Sequence, residues 1–181
     1  YKGVFFMNEV IENILSRRSV KKYKSDMIPK EAIDEIIKAG TYAPNGRGMQ
    51  SPIIVAVTNK AIRDELSRIN GKIMGTPEGF DPFYNAPVVL IVLADSSCPT
   101  YIYDGSLVME NLMLSANSLG IGSCWIHRAK ETFETEEGKA ILHKLGITET
   151  YEGIGNCILG YSDEPVKTAP PRKDNYVYYL D

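Results

Sequence analysis

Val10, Ile11, Ile14 and Leu15 recur at helical spacing before the pattern dissolves into SRRSVKKY, which predicts a short helix with a basic exit. In MIPKEAIDEIIKAG, Ile33, Ile36 and Ile37 make one face. Pro29 suits the first helical position there, and Gly40 is expected to end the helix in a left-handed turn. The unbroken apolar run in SPIIVAVTN predicts a strand buried on both faces, followed by a helix through KAIRDELSRI and a Gly-rich loop to Tyr84. APVVLIVLAD reads as a second buried strand. The segment YDGSLVMENLMLSANSLG is apolar around most of its circumference, the pattern of a helix buried inside a larger assembly. A short strand at IGSCWIH, a helix around TEEGKAILHKLG, a strand at GIGNCILGY and a polar, Pro-bearing tail complete the chain. Helices alternating with strands predict a layered sheet with helices on its faces. No internal repeat or linker divides residues 1–181, so one domain is expected.

Composition changes this picture only at its edges. The 181 residues are 44% hydrophobic and 24% charged with a net charge of −3. That is ordinary for a globular protein and argues against a general nucleic-acid or membrane-surface binder. Cys98, Cys124 and Cys157 are widely spaced, and only His127 and His143 could join them. Neither a disulfide framework nor a soft-ligand metal site is expected, and a reducing cytoplasm is the expected setting. The opening YKGVFF lacks the features of a signal peptide. Met7 is read as the native start, with residues 1–6 left over from cloning.

Three segments carry candidate chemistry. RRSVKKY offers Arg17, Arg18, Lys21 and Lys22 around Ser19, a set suited to a phosphate and equally to a solvated helix end. GTYAPNGRGMQSP joins helix to strand with far more than turn chemistry requires. Pro44, Asn45 and Gly46 are standard turn residues, whereas Arg47, Met49 and Gln50 before another Pro are not explained that way. The third is GIGSCWIHR with the later PPRKDN. Trp125 taken singly reads as core, His127 alone is no catalytic constellation, and Cys124 reads as a packed thiol. Asp104 and Glu110 lie six apart on one predicted helix, off a common face, so they are not read as an acid–base pair.

In this order, RRSVKKY, APNGRGMQSPIIVAV, NAPVVLIVLAD, LMLSANSLGIGSCWI and GYSDEPVKTAPPRK, the segments resemble the FMN-dependent nitroreductase family from about residue 8 to the end. The resemblance implies an α+β fold, a mainly antiparallel central sheet flanked by helices, in an intertwined homodimer holding two FMN molecules at its interface. It implies that Arg17, Arg18, Ser19 and Lys21 bind the FMN phosphate, joined by Arg172 and Lys173. Pro44, Asn45, Gly46 and Gln50 would lie along the flavin and ribityl chain of the partner subunit's cofactor. Gly122, Ser123, Trp125, Ile126 and His127 would lie beside the isoalloxazine ring. The chain departs from the family at Gly48, where Asn is frequent, and at Ile53, where an aromatic is frequent.

The implied activity is ping-pong: NAD(P)H gives hydride to FMN, and a small-molecule acceptor such as a nitroaromatic or quinone is then reduced on the same ring face. The cofactor carries the chemistry and the protein supplies position and charge. Arg47 is a candidate for stabilising the reduced flavin. A dehalogenase or flavin-consuming enzyme on the same scaffold is the rival reading that the resemblance implies; such subfamilies often add a lid over the ring, for which a chain this short has little room and NGKIMGTPEGFDPFYN is the best candidate. A non-enzymatic flavin-binding or redox-sensing protein is the reading from a different class.

Overall fold

In the computed structural model, residues 8–147 and 150–180 are described; the expectation that residues 1–6 are foreign falls outside them. The strands β1 (Pro52–Val57), β2 (Val88–Asp95), β3 (Gly122–Ile126) and β4 (Tyr151–Gly160) form one sheet in the order β1-β2-β4-β3, with every neighbour antiparallel. Around it lie α1 (Glu9–Ser16), α2 (Lys30–Thr41), α3 (Lys60–Met74), α4 (Tyr101–Ser118), α5 (Ala129–Glu134) and α6 (Glu136–Lys144). The expected mainly antiparallel sheet flanked by helices is what the chain builds.

Strand β2 lies between two neighbours and is buried on both faces. Its side chains alternate. Val88, Leu90 and Val92 enter the core against α2 and α4, with Ile36, Met109 and Leu112. Val89, Ile91 and Leu93 enter the opposite core, with Leu66, Phe83, Phe133 and Leu142. Strand β1 was expected to be buried on both faces, but it is an edge strand and mostly half-buried, with Ala56 exposed. Its unbroken apolar run reflects two flanking cores that each cover it only in part.

Other boundaries shift for local reasons. Pro29 is the residue before α2, in an extended conformation at φ −55° and ψ 141°, so the first helical position is Lys30. Gly40 does not stop α2. It is helical and buried, and a Cβ there would lie 2.6 Å from Leu112 Cδ2, so glycine is a notch for α4. Helix α3 runs a turn past the expected end, to Met74, and Gly75 closes it in the left-handed region at φ 70°. Helix α5 went unread, because its six residues are too few to show a period.

The lid candidate is anchored. Its first residues belong to α3, and in the following loop Asp81 accepts hydrogen bonds from Arg63, Ser67 and the backbone N–H of Phe83 and Asn85. The Phe83 side chain is fully buried.

Helix α4 packs Val108, Met109, Leu112, Met113 and Ala116 on the sheet but leaves Ile102, Tyr103 and Leu107 exposed. Helix α1 buries none of its residues, so Val10, Ile11, Ile14 and Leu15 form a bare apolar face. What fixes α1 is polar. Asn13 Nδ2 donates to Leu114 O at 2.9 Å, and Asn117 Nδ2 donates to Asn13 Oδ1 at 2.7 Å. No helix among the described residues is long and apolar enough to cross a membrane.

Candidate functional site

The basic segment leaves α1 in an extended conformation at Arg17 and runs beside β3. Ser19 and Ser123 form a parallel bridge, and the Val20 N–H donates to Ser123 O at 2.9 Å. Close approach explains a glycine here: a Cβ on Gly122 would lie 2.9 Å from Val20 Cγ2. The result is a cavity of about 310 Å³ between Arg18, Ser19 and Val20 on one side, residues 120–123 on another, and tail residues 164–167 on a third. Four of the expected residues, Arg18, Ser19, Gly122 and Ser123, line it.

The cations around it are positioned in different ways. Arg18 donates from Nη1 to the carbonyls of Leu15 and Arg17, both at 2.7 Å, and from Nε to Lys167 O at 3.1 Å, tying the end of α1 to the tail. Arg17 Nε lies 4.0 Å from Glu110 Oε1. Its Nη1 is buried without a hydrogen-bond partner, as are Ser123 Oγ and Trp125 Nε1. Buried donors without partners are rare and ask for an explanation. Lys21 places its ammonium 5.7 Å from the centroid of the Tyr84 ring.

Cys124 stands within reach of the same charges. Burial pushes its thiol up, outweighing the hydrogen bond from Ser19 and the fields of Lys21 and Arg17, which act the other way. The thiol is therefore protonated at neutral pH, as expected of a packed cysteine rather than a nucleophile. Trp125 is half-buried, with its ring against the bare backbone of Gly155 and 5.9 Å from the His127 ring, tilted at 40°. The backbone at His127 is held by Asn70 and Asn156, whose side-chain amides donate to its carbonyl.

The Pro44–Gln50 loop is elsewhere. It leaves α2, forms a 3₁₀ turn at Gly46–Gly48, and enters β1 at Pro52. Arg47, Gly48 and Gln50 have φ of 55°, 67° and 51°, a left-handed region that costs non-glycine residues strain. The Gln50 N–H donates to Asn45 Oδ1 at 2.8 Å, closing the loop on itself. Asn45 and Gln50 line a groove of about 400 Å³ with the end of α2, β1 and Val108.

Asp104 holds this loop, and the sequence reading missed that role. The signal was present as the one acid in the first turn of a largely apolar helix, four residues after Thr100. The loop sits at the Asp104 end of α4 and the basic cavity at its Asn117 end. At 1.5 Å per residue the two ends are roughly 20 Å apart. One chain therefore brings 17–21 together with 120–123 and keeps 44–50 apart from them. Arg172 and Lys173 are exposed in the tail, where Arg172 donates to Pro170 O and Lys173 lies over the Tyr176 ring.

The nitroreductase family model matches residues 14–78 and 74–161. A protein of Archaeoglobus fulgidus, provisionally named an NADH dehydrogenase/NAD(P)H nitroreductase, is 30% identical over 161 residues, 86% of each chain. A protein of Methanothermobacter thermautotrophicus with the same provisional name is 31% identical over 121 residues, which are 65% of this chain and 60% of that protein's length. A solved nitroreductase with bound FMN from Bacteroides fragilis superposes with a TM-score of 0.89 at 32% identity, over 97% of this chain and 100% of the other.

Proposed function

Because the chain belongs to the nitroreductase family, we propose that it is an FMN-dependent oxidoreductase that draws electrons from NAD(P)H and delivers them to a small oxidised acceptor, a nitroaromatic or quinone, by a ping-pong cycle. The observation that carries this reading is a set of unmet donors on the basic segment and on β3, the strand it pairs with: Arg17 Nη1, Ser123 Oγ and Trp125 Nε1 are buried without partners, and Ser123 lines the basic cavity. A ligand with a phosphate at one end and carbonyl acceptors on a ring would meet that demand, and FMN has both. Bound FMN supplies the hydride-accepting ring; the chain supplies position, charge and shelter from water.

On this reading Arg17, Arg18, Ser19 and Lys21 hold the phosphate, with Arg172 and Lys173 closing on it from the tail. The carbonyls that fix Arg18 set its guanidinium at the cavity wall in advance, so less side-chain freedom is lost on binding. The backbone of 122–127 lies along the ring, its His127 end held by Asn70 and Asn156. Pro44, Asn45, Gly46 and Gln50 come from a second subunit. Two facts support a homodimer: the separation of loop and cavity along α4, and the bare apolar faces of α1 and α4. Exposed apolar surface of that kind favours a partner.

The test is direct. Purified protein is reconstituted with FMN, freed of excess, and examined for a bound-flavin spectrum. NADH or NADPH is then added without oxygen. Loss of the yellow band, with its return on adding a nitroaromatic or quinone, is the expected result. A bound flavin that neither donor bleaches would mark a flavin-binding protein without this activity and overturn the proposal.

A further inference from the structure

A buried carboxylate with two oxygens and three donors clips both ends of one loop. Asp104 is 3% exposed. Its Oδ1 accepts from the Gly46 N–H at 2.9 Å. Its Oδ2 accepts from Ser51 Oγ and from Thr100 Oγ1, each at 3.0 Å. Gly46 and Ser51 bracket the stretch that contains the left-handed residues Arg47, Gly48 and Gln50. A chain segment with that much backbone strain relaxes unless something outside it fixes its ends, and here both ends are fixed by one side chain on α4.

We propose that Asp104 is the positioning residue of the Asn45–Gln50 loop, acting through Gly46 and Ser51 to hold it in the strained form that receives the flavin of the partner subunit. The inference rests on the flavin reading above. Asp104 itself touches neither cavity; its effect passes through the loop. An ionised carboxylate is the group that fits, because it accepts on both oxygens and donates on neither. Its charge sits in the first turn of α4, where the helix dipole favours it. Thr100 completes the clip and shapes it: a Cβ on Gly46 would lie 2.2 Å from Thr100 Oγ1, so the loop comes as close to α4 as a glycine allows. An amide at 104 would keep the volume and could still accept from the Gly46 N–H on Oδ1, but its Nδ2 would then face the Ser51 and Thr100 hydroxyls, which must turn from donating to accepting, and the charge that strengthens all three bonds is gone.

The experiment compares wild type, Asp104→Asn, Ser51→Ala and Arg18→Ala as full-length protein. It reads FMN affinity by quenching of flavin fluorescence, the visible spectrum of bound flavin, and the melting temperature of the flavin-free form. Loss of a hydrogen bond to a charged group predicts an FMN affinity about tenfold to a hundredfold weaker in Asp104→Asn, and about threefold to tenfold weaker in Ser51→Ala. Both should shift the bound-flavin spectrum, while the flavin-free protein still melts cooperatively and loses only the few degrees that a missing hydrogen bond costs. Ser51→Ala removes one oxygen atom and keeps the question decidable should Asp104→Asn fail to fold. Wild-type affinity and an unshifted spectrum in Ser51→Ala and in any folded Asp104→Asn, beside weakened binding in Arg18→Ala, would overturn the positioning role and leave the flavin reading standing. Absence of FMN binding by wild type would overturn the flavin reading instead. Flavin-free forms that lose their cooperative melting transition in both variants would overturn it as well, by making Asp104 a structural carboxylate only.

Discussion

Replacing Gly40 by alanine sets two effects of opposite sign against each other. Gly40 is the eleventh residue of the twelve in α2, and alanine is worth about 0.8–1.0 kcal/mol more than glycine in a helix interior. The added Cβ would meet Leu112 Cδ2 at 2.6 Å and Ile54 Cδ1 at 3.1 Å. Carbon atoms rest at roughly 3.5–4.0 Å, so the first contact is about 1 Å too short. Leu112 is fully buried and cannot swing into solvent. Overpacking of this kind costs about 1–3 kcal/mol, so the net effect is a loss of about 1 kcal/mol and a melting point about 2–4 °C lower for a chain of this size.

Truncating Leu112 gives the sharper test. Leu112→Ala alone should cost about 2–5 kcal/mol through its cavity. With that cavity open, the methyl at position 40 has room and only the helix-propensity gain remains. Gly40→Ala should then stabilise by about 1 kcal/mol, which makes the coupling in the double-mutant cycle about 2 kcal/mol. The assay is urea or thermal unfolding of the flavin-free protein at one fixed concentration, since association would otherwise shift the midpoint. A higher midpoint for Gly40→Ala in the wild-type background, or the same loss in both backgrounds, would refute the packing argument.

Two further outcomes follow from the titrating groups. Burial would raise the Asp81 carboxyl, but hydrogen bonds from Arg63, Ser67 and the backbone of Asn85 and Phe83 outweigh it and hold it below the usual value of 3.8. Its stabilising effect is therefore fully present above about pH 4 and lost as pH falls through the lowered folded value; melting curves should show Asp81→Asn about 1–3 kcal/mol less stable at neutral pH and the gap closing in acid. A gap that stays constant throughout the acid range would contradict this. All three cysteines are buried and free, so a thiol reagent at pH 8 should label none on mixing and all three after denaturation; prompt labelling of Cys124 would contradict its packed state.

What was readable in the sequence was what repeats along it. Strand β2 announced itself because both its faces are buried, and α4 because its apolar residues run round the helix. Gly40 was misread because a glycine that ends a helix and one that admits a neighbouring helix look alike until the neighbour, Leu112, is in place. The same holds for Asp104. Its partners are four residues before it and more than fifty residues away, so only the fold reveals that the acid in the first turn of α4 has three donors. The basic segment was legible as chemistry. That it pairs with Ser123, and that Arg172 and Lys173 do not line the cavity beside it, depends on tertiary placement that no spacing encodes.

The roughly 20 Å of α4 between loop and cavity bears on how damage is inherited by an assembly. If each flavin is gripped by the phosphate segment of one chain and the loop of the other, a fault in Arg18 and a fault in Asn45 belong to different sites when carried on one chain and to the same site when carried on the two chains of a dimer. Two inactive variants, each defective in one half, would produce mixed dimers in which one site collects both faults and the other collects none. With random pairing about half of the dimers are mixed, so about one quarter of all sites regain full strength. Two broken proteins, combined in one tube under conditions that let subunits exchange, would restore activity that neither has alone.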